Sequence, residues 1–157
     1  MEKIPHSYRT IRFQDCDPLN HLNNARYLDY FMNAREDHLS SHYGLDIYDR
    51  LKKTGKTWVV ARNEIEYRIP ANLMEKVMIT SQLMKFSLKH LEVEMAMYDE
   101  EGKRLKALLR VVFIPFDIVS GKVVEHDQDI MDLLESIRVE GIAPDMKERI
   151  GQLEGRV

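Results

Sequence analysis

The chain has 157 residues, 23 Lys and Arg against 26 Asp and Glu for a net charge of −3, and 44% hydrophobic residues; this suits one domain, taken as residues 1–157, with a sizeable core. The charge balance excludes the basic footprint of a nucleic-acid binder, and Arg110 and Pro115 break the most apolar stretch, Leu105 to Phe116, well short of a membrane span. The opening MEKIPHS has no apolar signal segment, and a lone Cys16 excludes an internal disulfide, so a reducing, cytoplasmic setting is expected.

Tyr8 to Phe13 is the first strand candidate, with Tyr8, Thr10 and Arg12 on one face and Arg9, Ile11 and Phe13 on the other. The segment that follows is the most informative in the chain. Within ten residues it holds Asp15, Asp17, His21, Asn20, Asn23 and Asn24. One helix cap needs one or two such residues, and six exceed that need. From Ala25 to Tyr43, Leu28, Phe31, Met32 and Leu39 trace an apolar stripe on a long helix that Asn23 or Asn24 would cap and Gly44 would stop. An acid on a loop feeding a helix N-terminus combines a nucleophile or base with unpaired N–H donors.

Beyond the helix the period drops to two. In Arg62 to Ile69, Asn63, Ile65, Tyr67 and Ile69 oppose Arg62, Glu64, Glu66 and Arg68. Val77, Ile79 and Leu83 mark a further strand, and Leu91, Val93, Met95 and Met97 another. Asp99 to Lys103 reads as a hairpin turn into Leu105 to Phe116, and Ser120-Gly121 as another turn. Asp127 is placed to cap a helix carrying Ile130, Leu133, Leu134 and Ile137, and Pro144 to open a last short helix before a polar tail. A strand, a long helix and about four strands joined by short connections predict an α+β fold with an antiparallel sheet over one helix, a core of about 7–125, and a C-terminal helical extension of about 127–157.

The string DCDPLNHLNNARY, a D-x-D-x-x-x-H-x-N-N-x-x-Y pattern directly before a helix, resembles the hotdog-fold acyl-CoA thioesterases, in particular the 4-hydroxybenzoyl-CoA thioesterase-like group. The resemblance centres on Arg12 to Arg35, and element order extends it to about Lys122. It implies a hotdog fold, with the antiparallel sheet wrapped around the central helix. It also implies a homodimer joined sheet edge to sheet edge, or a homotetramer, acting on acyl-CoA with no cofactor.

By the same resemblance Asp17 is the catalytic carboxylate, acting as nucleophile or general base. The backbone N–H at Asn24 would polarise the thioester carbonyl, a role suited to a helix start. His21 and Asn23 match the H-x-N of one branch and would orient Asp17, water or the thioester; backbone bonding and capping are their alternatives. Tyr27, on the first helical turn, lines the pocket or packs. Asp15 falls to a turn or to an ion pair beside Arg12. Lys89 and His90, with Lys85, are the candidates for CoA phosphates, against a solvated basic turn. The chain departs from the hydroxybenzoyl pattern at Asn20, where that group tends to carry Gly; Asn tolerates the left-handed backbone such a turn needs.

Cys16 lies between two carboxylates that disfavour its thiolate. His38 and His42 have helical i, i+4 spacing but no third ligand, so they are read as surface residues and no metal is expected. Glu64 and Glu66 are read as solvated. Hydrolysis of acyl-CoA to acid and CoA is therefore the expected function. A non-catalytic module binding acyl-CoA or acyl carrier protein is the alternative, followed by a hotdog hydratase or dehydratase.

Overall fold

The structure, a computed structural model, describes residues 1–155; the last two residues of the expected tail, Arg156 and Val157, lie outside them. Strand β1 (His6–Thr10) leads through a 3-10 turn, Phe13–Asp15, into the loop, and a second 3-10 turn, Asn24–Arg26, feeds helix α1 (Tyr27–Tyr43). Helix α2 (Ile47–Thr54) follows, then β2 (Lys56–Tyr67), β3 (Lys76–Ser87), β4 (His90–Asp99), β5 (Leu105–Asp117) and the two-residue β6 (Lys122–Val123). Helices α3 (Gln128–Ile137) and α4 (Met146–Leu153) close the described chain.

The sheet is antiparallel in the order β1-β3-β4-β5-β2, with β6 on β5, so β1 and β2 are its edges. Inward residues alternate as period two requires: Val77, Ile79 and Leu83, Val93, Met95 and Met97, and Ala107, Leu109 and Val111 join Phe31 and Ala34 of α1 and Leu134 and Ile137 of α3 in one core. The opposite face forms a second, smaller core in which Ala96, Leu105 and Leu108 meet Ile150, Met146 and Leu153 of α4. A curled antiparallel sheet around one long helix, with a C-terminal helical extension, is the hotdog arrangement.

Several elements differ from the sequence reading. The first strand ends at Thr10, and Phe13 sits in a 3-10 turn instead. The strand expected over Arg62 to Ile69 begins at Lys56 and ends at Tyr67, with a bulge between Val60 and Arg62 that resets its alternation. Helix α2 was not anticipated, although Asp46 caps it through Tyr48 N and Asp49 N and Gly55 ends it in a left-handed conformation. Eight residues carry too little periodicity to stand out. Asp127 does occupy the N-cap of α3, but its carboxylate turns away from the helix to pair with Lys56 Nζ at 2.8 Å and Arg50 Nη2 at 3.0 Å.

The buried face of α1 is Tyr27, Tyr30, Phe31, Ala34, Arg35 and His38, rotated from the expected stripe, in which Leu28 and Met32 prove only partly buried. His38 is accordingly no surface residue. It is 2% exposed, with Ser7 Oγ at 2.8 Å from Nε2 and Ser81 Oγ at 2.7 Å from Nδ1. Burial, then the nearby Arg35, pushes its pKa down to about 4. Above its ordinary value of 6.5 the ring is neutral in folded and unfolded chains alike. As pH falls from 6.5 to 4 only the unfolded chain gains the proton, so stability drops, by up to about 3 kcal/mol. His126 is shifted the same way, by burial first. Urea unfolding at pH 7 and pH 4.5 measures this; His38→Asn should flatten the loss, and an unchanged loss in the variant would remove His38 as its main source.

Candidate active site

The Asp17 loop is fixed mainly by its own backbone. Asp17 N donates to His21 O at 2.8 Å and Asn20 N to Asp17 O at 3.0 Å, closing a turn. Asn20 has φ of 60°, the left-handed conformation expected at the position where the hydroxybenzoyl group tends to carry Gly. Cys16 bridges Leu22 and His21 bridges Asn72, so the loop is held as a small antiparallel ribbon. Leu22 N donates to Ala71 O and Leu73 N to Asn20 O, both at 2.8 Å, tying it to the chain ahead of β3.

Within this frame the two oxygens of Asp17 differ. Oδ1 accepts from Leu19 N at 2.9 Å and His21 N at 3.2 Å, while Oδ2 has no hydrogen bond among the described residues. The residue is half-buried. One oxygen therefore fixes the orientation of the carboxylate in its turn, and that bonding leaves the other oxygen unused.

Asp15 is tied through one oxygen to the helix that follows. Its Oδ2 accepts from Tyr30 Oη at 2.6 Å, and Tyr30 Oη in turn accepts from Arg12 N at 3.0 Å, so no ion pair with the Arg12 side chain forms. Burial, then the bond to Asp15, pushes the Tyr30 phenol up to about 12. Asp15 O also accepts from Asn23 N at 2.9 Å, which links the front of the loop to the start of the helix. Cys16 Sγ donates to Arg12 O, and desolvation, then Asp15 and Asp17, raise its pKa, so the thiol stays protonated.

At the helix start Asn23 caps the 3-10 turn through Ala25 N at 2.9 Å, which satisfies its capping reading. Asn24, the first residue of that turn, is exposed and has a backbone N–H with no intrahelical acceptor. Its carbonyl accepts from Tyr67 Oη at 2.9 Å, and the Tyr67 ring packs edge-on against Tyr27 at 5.0 Å. Tyr27 is buried, its hydroxyl accepting from Ala71 N at 3.4 Å, so its role within the chain is to pack and to fix the helix start. Tyr30 and Tyr67 were missed by the sequence reading. Tyr30, three residues beyond Tyr27, had a signal in its helical spacing; Tyr67 had none, because only the folded sheet brings β2 to this loop.

Lys89 lies in the β3–β4 turn and His90 opens β4, beside Leu91, which pairs with Phe113, itself beside Val60. Within one chain this is the far end of the sheet from Tyr67 and the Asp17 loop, about 23 Å along β2. Lys85 pairs with Glu92 at 3.4 Å. The same end of the fold encloses a cavity of about 250 Å³ between α1, α3 and the sheet, walled by Met32, Trp58, Val93, Phe113 and Leu134. Among the described residues no cluster of three or more His, Cys, Asp or Glu could hold a metal ion.

A family model described as the thioesterase-like superfamily matches residues 11–134, from the end of β1 through the loop, α1 and the sheet into α3. The chain belongs to the thioesterase-like superfamily. Membership makes it a thioester hydrolase at the level of the superfamily. Among its relatives is the long-chain acyl-CoA thioesterase FadM of Escherichia coli K12, 28% identical over 127 residues that span 81% of this chain and 94% of FadM. The solved probable thioesterase YbaW of E. coli superposes with a TM-score of 0.73 at 26% identity, covering 85% of this chain and 98% of YbaW. A Staphylococcus aureus protein solved in complex with CoA superposes at 0.80 with 17% identity, over 96% of this chain and 94% of that one, a likeness of fold alone. No helix among the described residues is long and apolar enough to cross a membrane.

Proposed function

We propose that this superfamily member hydrolyses an acyl-CoA thioester to free acid and CoA, with Asp17 as nucleophile or general base. The observation that carries the reading is the Asp17 carboxylate itself, with one oxygen locked by two backbone N–H groups and the other free, just ahead of an open helix start. The Asn24 N–H supplies a donor where negative charge develops on the thioester oxygen, and such a donor contributes about 3 kcal/mol in a transition state. His21, half-buried beside the turn, orients water or substrate. Asn23 and Tyr27 act by holding the helix start in place.

We further propose a homodimer, located in the cytoplasm, formed by pairing two β2 edges antiparallel. The outer edge of β2 is unpaired in the sheet, and Val59 and Val60 are exposed at 40% and 48%. A pairing centred on β2 sets Tyr67 of one copy opposite Lys56 of the other. That brings the cavity and the Lys89–His90 turn of one copy toward the Asp17 loop of the other, where they would serve the acyl group and the CoA phosphates. This accounts for candidate residues that lie at opposite ends of one chain.

Thiol release from a panel of acyl-CoAs, short, long, branched and aromatic, tests the reading. Release from at least part of the panel is expected. No release, together with a higher melting temperature in acyl-CoA, would replace hydrolysis by a binding role. Consumption of an enoyl-CoA without thiol release would point to hydration.

A further inference from the structure

We propose that the cavity between α1, α3 and the sheet is a chamber for an apolar chain ending in a carboxylate, with Arg35 as the group that receives the carboxylate. Its walls are almost wholly apolar, and the exceptions are informative. Arg35 lines the cavity and is only 6% exposed. Its Nη1 donates to Ser81 Oγ at 3.0 Å, and its guanidinium lies 5.9 Å from the Tyr43 ring centre. It forms no ion pair with a carboxylate among the described residues. The other charged lining residue, Glu36, is only partly buried, and its Oε1 accepts from Tyr48 Oη at 2.8 Å.

Elsewhere among the described residues, buried guanidinium groups come with a carboxylate partner. Arg110 and Arg149 both meet the carboxylate of Glu94, at 3.0 and 2.8 Å. Burying a cation without a counter-ion is costly, and Arg35 departs from the pattern. Burial pulls its pKa down to about 10, which leaves it charged at neutral pH. A guanidinium has five N–H donors in a planar fork suited to a carboxylate, and Ser81 and the Tyr43 hydroxyl, both formally neutral partners, take only part of that capacity. A carboxylate entering the cavity would supply the missing charge while its chain fills the apolar walls.

Two sources share this chemistry: a free carboxylic acid, and an acyl-CoA whose acyl group carries a carboxylate at its distal end. The second source rests on the proposed hydrolase reading, and the first stands without it.

Trp58 is the only tryptophan and lines the cavity, so its fluorescence reports occupancy in the intact protein. Titration with octanoate and with octanol should give octanoate about tenfold tighter binding or more. Arg35→Met should erase that preference while octanol still binds. Equal affinities in the wild type, no Trp58 response to either compound, or a preference that survives Arg35→Met would each overturn the proposal. If Arg35→Met does not fold, the wild-type pair decides alone.

Thiol release from octanedioyl-CoA and octanoyl-CoA separates the sources. Faster hydrolysis of octanedioyl-CoA assigns the distal acyl carboxylate; equal rates beside a clear octanoate preference assign the free acid. Absence of release from both would count against the hydrolase reading and leave the titration result standing.

Discussion

Asp17→Asn should lower thiol release from acyl-CoA by about a hundred- to ten-thousand-fold without unfolding the protein. The asparagine carbonyl oxygen can still accept from Leu19 N and His21 N, the two bonds that orient the side chain. What changes is the other position, where an amide replaces the free Oδ2 and can neither attack a carbonyl nor take a proton from water. The turn, the left-handed Asn20 and the ribbon to Asn72 have no reason to move. Asp17→Ala is a poorer probe, because it also strands two backbone donors and confounds a local collapse with lost chemistry. Thiol release and a thermal melt on the same preparation separate the two effects. Wild-type rates in a folded Asp17→Asn would leave Asp17 with its turn role only.

Glu94→Ala should be the most destabilising single change on the outer face of the sheet. Glu94 is 2% exposed and fully engaged: Oε1 accepts from Gln82 Nε2 and Arg149 Nε, both at 2.8 Å, and Oε2 from Arg110 Nε at 3.2 Å and Nη2 at 3.0 Å. Arg110 also donates to the carbonyls of Ala143 and Pro144, so the same cluster fastens the segment leading into α4. Removing the carboxylate leaves two buried or nearly buried guanidinium groups uncompensated, a change that costs about 3–5 kcal/mol. For a chain of this size that corresponds to a fall in Tm of about 10 °C or more. Glu94→Gln keeps the shape and part of the hydrogen bonding, and should fall between the two. Protease sensitivity of α4 should rise along with the loss of Tm. A Glu94→Ala melt within about 2 °C of wild type would show that α4 is held by its apolar contacts with Ala96, Leu105 and Leu108 instead.

The two cases differ in how far the sequence foreshadowed them. The geometry of the Asp17 loop was legible because its signal is local: a turn, an asparagine suited to a left-handed backbone and a helix start lie within ten residues, and the backbone alone builds them, while the chemistry given to Asp17 is a proposal. Strand alternation was legible for the same reason. The inward residues Val93, Met95 and Met97 can be read off period two, and the inner core follows.

The tertiary structure decided what depends on residues far apart in the chain. Glu94 looks like an outward, solvated strand residue until α4 folds over it and brings Arg149, 55 positions away, to its carboxylate. His38 and Arg35 look like the polar side of a helix, but β1 and β3 supply Ser7 and Ser81 and the sheet closes over both. Asp15 reads as a turn residue or an ion-pair partner of Arg12, and only the folded chain brings Tyr30 of α1 to its carboxylate instead. Local pattern fixes which groups a segment can offer, because turns, caps and alternation are set by neighbours in sequence. Which of those groups stay free to react is set by what the rest of the chain packs against them, and that is a property of the folded molecule.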